Sequence, residues 1–106
     1  SFIMQQAAYL LKEHAMSGLN LKEIAEKLKL TPVQFTRQFQ AAFHVTPIHF
    51  VTSTRMRKAC KLLNETNLTL DEIAQQCGFT SIYSFSRFFA KKLSLSPSAY
   101  RKKFRK

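Results

Sequence analysis

Apolar residues recur along this chain at helical spacing, and they do so twice in the same order. Leu21-Lys22-Glu23-Ile24-Ala25 returns as Leu70-Asp71-Glu72-Ile73-Ala74, 49 positions later. Past the following turn the offset becomes 50, because the second copy holds one more residue there. At that offset Phe35 pairs with Phe85, Arg37 with Arg87, Phe39 with Phe89, Phe43 with Leu93, Pro47 with Pro97 and Phe50 with Tyr100. A match over so many positions marks one supersecondary unit used twice.

Each copy reads as helix, short turn, helix. Ile24, Ala25 and Leu28, and then Ile73, Ala74 and Cys77, fall on one face of a 3.6-residue repeat. Ala25 and Ala74 are small where a second helix would cross closely. Thr69 with Glu72 is a capping box, in which the hydroxyl takes one free N–H and the carboxylate reaches back to another. Asn20 with Glu23 is a looser start of the same kind. Gly78 accepts a positive φ at little cost, whereas the first copy has Lys29 there, which predicts either a different turn or a mildly strained one.

The second helix of copy one opens at Thr31-Pro32, an N-cap followed by proline at the first helical position. That of copy two opens at Thr80 or Ser81. Phe35, Phe39 and Phe43, and Phe85, Phe89 and Leu93, are expected to face inward. Thr46-Pro47 and Ser96-Pro97 repeat the cap-plus-proline start and each opens a further helix.

The helix from Pro47 to Asn64 carries Ile48, Val51, Ala59, Leu62 and Leu63 as one stripe, and its eighteen residues make a rod of roughly 27 Å. Arg55 falls within that stripe, so it is expected to hold a structural ion pair and only secondarily to touch a ligand. An opening helix over about residues 2–16 places Ile3, Ala7, Leu10 and Leu11 on one face. The expected fold is all-α, with about seven helices: a first helix-turn-helix over 1–46, a linker helix over 47–64 and a second helix-turn-helix over 65–106.

Composition supports helices and adds a partner. Only two glycines and three prolines are present, too few for the turns of an all-β chain. At 106 residues the chain has length for one modest core but not for two independent ones. Seventeen Lys and Arg against six Asp and Glu give a formal charge of +11, and no acidic residue follows Arg87. Such a field attracts polyanions, so nucleic acid leads the expected partners.

Cys60 and Cys77 are too few for a disulfide framework, and His14, His44 and His49 form no ligand cluster with them, so neither metal nor cofactor is expected. No apolar run is long enough for a membrane span, and no leader opens the chain, so no membrane partner is expected and a reducing cytoplasm is. No nucleophile–base pair or phosphate loop argues for an enzyme. An RNA binder is disfavoured because the aromatics fall on core positions and leave no stacking platform. A protein-docking module, through the first helix or the surface around Phe88, is compatible with DNA binding. Phe88 itself has no assigned role.

Over nearly its whole length the chain resembles the AraC/XylS family of bacterial transcription regulators. The resemblance is carried by Ile24-Ala25, by Thr31 to Phe39, by Arg55 to Leu63, and by the long string from Ile73 to Arg101. It departs at His44 and Ser94, where the family usually has glycine, and at Ser81, where it often has aspartate.

The resemblance implies a sequence-specific transcription regulator, in the sense of an activator, whose two second helices enter adjacent major-groove segments of double-stranded DNA. Base contacts carried over residue by residue fall on Val33, Thr36 and Arg37, and on Ile82, Tyr83, Ser86 and Arg87. The chemistry agrees, since arginine pairs with guanine, hydroxyls bond most bases and branched apolar groups meet the thymine methyl. Arg37 and Arg87 as phosphate binders, and Tyr83 as a packed surface aromatic, stay open beside that reading. Phosphate contacts are expected from Pro32, Gln40, Lys91, Lys92, Arg101 and Lys102. RNA polymerase is a candidate protein partner, and the start at Ser1 leaves two readings open: a fragment whose N-terminal part senses an effector or dimerises, or a trimmed standalone regulator.

Overall fold

A computed structural model describes residues 1–105. Seven helices, and no strand among the described residues, make up the chain: α1 (Phe2–His14), α2 (Leu21–Lys27), α3 (Pro32–Phe43), α4 (Pro47–Glu65), α5 (Leu70–Gln76), α6 (Ile82–Leu93) and α7 (Pro97–Phe104). The starts follow from capping chemistry. Thr69 Oγ1 accepts from Glu72 N at 3.1 Å while Glu72 Oε1 accepts from Thr69 N at 2.9 Å. Thr31 and Gln34 form a second reciprocal box at 3.1 and 3.0 Å. Ser81, not Thr80, caps α6 through Ser84 N at 3.1 Å, and Ser96 caps α7 through Ala99 N at 3.1 Å.

Two compact units divide the chain, Ser1–Thr54 and a second beginning at Arg55. Each has its own buried cluster, which corrects the expectation that the chain is too short for two cores: both are small, nine and seven buried residues. The division falls inside α4. Val51 belongs to the first cluster, Ala59 and Leu63 to the second, so α4 supplies wall to both cores rather than acting as a bare spacer.

In the first unit Met4, Ala7, Leu11 and Ala15 meet Ile24, Ala25, Phe35, Phe39 and Val51. The buried stripe of α1 thus runs through Met4, while Ile3 is exposed. Phe39 sits at the junction of three rings, 5.9 Å from Phe35, 4.7 Å from Phe43 and 5.5 Å from Phe50. Truncating a fully buried phenylalanine of this kind costs about 3–5 kcal/mol. In the second unit Phe85 and Phe89 lie 5.8 Å apart, and Tyr100 approaches Phe89 at 5.4 Å, matching Phe50 on Phe39. Besides Ile3, two further positions expected in the core are exposed instead: Ile48 and Leu93. Each lies within a turn of its helix end, where no neighbouring element closes over it.

The turns of the two copies have the same shape. Leu30 N donates to Ala25 O at 2.9 Å, and Phe79 N to Ala74 O at 3.0 Å. Lys29 takes φ 59° where Gly78 takes φ 84°. The first copy therefore keeps the turn and carries the strain of a side chain in the left-handed region. His44 (φ 65°) and Ser94 (φ 61°) end α3 and α6 in the same way. Their N–H groups reach Gln40 O and Ala90 O, both at 2.8 Å.

Candidate nucleic-acid interface

Because Phe35 and Phe39 bind α3 to the first core, the opposite side of that helix is left to solvent. Pro32, Val33, Thr36, Arg37 and Gln40 line one open depression there. All five are exposed, and Val33 is 65% exposed. The face mixes two apolar groups, one hydroxyl, one guanidinium and one amide, a set able to read base edges.

On α6 the corresponding depression is lined by Tyr83, Ser84, Arg87, Phe88 and Lys91. Tyr83 is 67% exposed and lies under the Arg87 guanidinium, 5.5 Å from ring centroid to Cζ. Ile82 is exposed outside that set of residues, and Ser86 is half-buried. Of the four α6 residues carried over from the resemblance, Tyr83 and Arg87 are therefore brought together, with Ile82 and Ser86 flanking them. Ser84 and Phe88 complete the lining and were not among the expected contacts. Ser84 also donates to Ser81 O at 3.1 Å.

Phe88 acquires a role from its neighbours. Its ring is 5.4 Å from Phe79, and Lys92 Nζ lies over it at 5.7 Å. It continues the core aromatics outward and gives a surface cation a fixed seat. The only sequence signal for this was Phe79 itself, an aromatic in the turn where the first copy has Leu30.

Arg55 is half-buried, with its guanidinium 5.7 Å from the centre of the Phe79 ring. Burial lowers its pKa, though not from a range where it would lose charge at neutral pH. Its contact with Phe79 is that of a cation over an aromatic face. Burial also pushes the Cys77 thiol up to about 11, so it is a packing group and not a nucleophile.

The basic C-terminal stretch divides into docked and exposed members. Arg101 was expected at a phosphate, but its guanidinium turns onto the loop after α4. It donates to Leu63 O at 3.0 Å, Leu68 O at 2.8 Å and Thr66 O at 3.1 Å. Carbonyls at the end of a helix lack intrahelical partners, and a half-buried cation supplies them. Arg105 joins it, donating to Thr66 O at 2.7 Å and to the Asn67 side chain. Lys91, Lys92 and Lys102 remain exposed. Among the described residues no group of three or more His, Cys, Asp or Glu is placed to hold a metal ion. No helix among them is long and apolar enough to cross a membrane.

Two short helix pairs, each presenting an outward second helix from its own core, define a double helix-turn-helix domain. The helix-turn-helix domain family matches residues 24–103. The MmsAB operon regulatory protein of Pseudomonas aeruginosa is 33% identical over 95 residues, which are 90% of this chain and 31% of that protein.

Among solved structures, the C-terminal domain of AraT, a response regulator from Geobacillus stearothermophilus, matches with TM-score 0.94 at 33% identity, over 100% of this chain and 88% of that one. The DNA-binding domain of AdpA, a global transcriptional factor solved with a target DNA, matches with TM-score 0.85 at 25% identity, over 93% of this chain and 89% of that one. This chain belongs to the AraC/XylS-type family of helix-turn-helix regulators. It spans about a third of the length of the curated relatives it matches.

Proposed function

We propose that this chain binds double-stranded DNA by sequence, with α3 and α6 each entering a major-groove segment. One observation carries the reading: the same outward face occurs twice, with an exposed arginine, Arg37 or Arg87, one turn after an exposed contact residue, Val33 or Tyr83. Arginine pairs with guanine O6 and N7, and Val33 and Ile82 suit the thymine methyl. Thr36 and Ser86 supply hydroxyls that bond most bases. Lys91, Lys92 and Lys102 hold the phosphates, and Pro32 and Gln40 meet the backbone beside α3. Arg55 acts inside its own unit, as a structural group.

Two readers, each taking one groove segment, give a site of about two helical turns for a single chain. Footprinting on a site selected from random duplexes tests this. Protection of about 20 base pairs supports the reading, and protection of a single turn rules out a contribution from one of the helices. With about 6–10 phosphates neutralised, affinity falls by about 10³–10⁵ between 50 and 200 mM salt, and a flat dependence overturns the electrostatic part.

For the whole regulator the reading extends to a cytoplasmic activator that contacts RNA polymerase and carries an N-terminal effector or dimerisation domain. The greater length of the relatives supports the further domain alone. Transcription from a promoter bearing the selected site, with and without the regulator, tests activation.

A further inference from the structure

The two outward faces differ at one place that bears on recognition. On α6 the Arg87 guanidinium lies over the exposed ring of Tyr83, 5.5 Å from Cζ to the ring centroid. At the equivalent place on α3 stands Val33, which has no π-face to offer Arg37. Both arginines are exposed, so an unsupported one samples many rotamers in the free protein. To hold guanine O6 and N7 together, the planar guanidinium must be fixed in position and in tilt. Ordering it is a cost met only in the complex that makes those bonds.

A stack already formed in the free protein removes part of that cost for guanine. It gives nothing to a complex with another base, where the guanidinium has no pair of acceptors to meet. Preorganisation therefore enters as discrimination and not as uniform affinity.

We infer that Tyr83 is a positioning residue for Arg87, so that α6 discriminates guanine more sharply than α3 does. This rests on the DNA-binding reading above. The effect is set by an exposed cation–π contact, which corresponds to about a two- to fivefold change in the ratio of dissociation constants.

The test starts from the selected duplex and measures dissociation constants for the guanine facing Arg87 and for the same site carrying adenine there. Tyr83→Ala is expected to lower the ratio of guanine to adenine affinity about two- to fivefold, over and above any loss common to both duplexes from Tyr83's own contact. Tyr83→Phe, which keeps the π-face, is expected to restore the preference. In the other unit, Val33→Tyr is expected to raise the guanine preference at the base facing Arg37. Tyr83 is 67% exposed, so its replacement leaves the core intact, and an unchanged unfolding midpoint verifies this.

A loss of the same factor on both duplexes, which leaves the ratio unmoved, overturns the inference and makes Tyr83 a direct contact of no base preference. An unchanged preference in Tyr83→Ala overturns it as well. Failure of the unaltered chain to select any duplex is a separate result, and it overturns the DNA-binding reading itself.

Discussion

Replacing Arg101 with alanine separates two roles that a basic residue on α7 can play. The guanidinium makes hydrogen bonds of 3.0, 2.8 and 3.1 Å to the carbonyls of Leu63, Leu68 and Thr66. A bond from a charged donor contributes about 1.5–3 kcal/mol in general. The three share one side chain and do not add, and the site is only half-buried, so water reaches the vacated oxygens.

The expected loss is therefore about 2–3 kcal/mol, more than any single bond of the average kind but less than their sum. For a domain of this size that lowers the unfolding midpoint by roughly 10–20 °C. A phosphate contact would behave otherwise. Its removal would leave stability within about 0.5 kcal/mol and reduce the log–log salt slope of DNA affinity by about 0.9.

Thermal unfolding of Arg101→Ala, paired with a salt titration of binding, reads both quantities. Lys102→Ala is the control, since its exposed ammonium is expected to change the slope and not the midpoint. A midpoint unmoved in Arg101→Ala, with a reduced salt slope, would refute the capping argument.

Glycine at the three strained left-handed positions is expected to stabilise: Lys29→Gly, His44→Gly and Ser94→Gly each by about 0.5–1 kcal/mol in denaturant unfolding, while Gly78→Ala destabilises by about 1–2 kcal/mol. A loss in all three glycine variants would show that these residues make contacts outweighing their strain. The Thr69 backbone N–H, with its hydroxyl second, holds the Glu72 carboxyl below the usual carboxylate range. The folded value being the lower, that stabilisation is complete above about pH 4.3 and is lost as pH falls through the folded value. Glu72→Gln is expected to flatten the acid limb of the stability profile, and a profile identical to the parent's would exclude the capping box as its source. Arg37→Ala and Arg87→Ala are each expected to relax base preference at a different position of the site by about 1–3 kcal/mol, read by selection from random duplexes. Uniform loss over all sequences would reassign them to phosphate.

The helix starts were legible because the chemistry that makes them is local. Thr31-Pro32, Thr69 with Glu72, and Ser96-Pro97 satisfy free N–H groups within four residues, so spacing alone reveals them. The aromatic core positions were legible because the repeat states them twice. What the sequence concealed was set by neighbours distant along the chain. Whether Ile3 or Met4 faces inward on α1 depends on where α2 and α3 lie, and the two choices differ by one position of a broad apolar stripe.

Arg101 looked like a phosphate binder because it stands in a basic run. The carbonyls it caps belong to residues 63–68, over thirty positions earlier, and no pattern announces them. On the interface, α3 was read more completely than α6. The expected residues of α3 all line one depression, whereas on α6 the depression takes in Ser84 and Phe88, placed there by the seating of Phe88 on Phe79.

The stack of Tyr83 on Arg87 has an optical consequence. The chain has no tryptophan and three tyrosines, so emission excited beyond the phenylalanine absorption band comes from phenol rings alone. Tyr9 is exposed on α1, and Tyr100 is packed between Phe89 and Phe104. Only Tyr83 stands on the face proposed to meet the bases. Stacked nucleobases quench a phenol's excited state, so docking of α6 should darken one emitter of three. Without any attached dye, the protein would then report arrival of its second reader separately from that of its first.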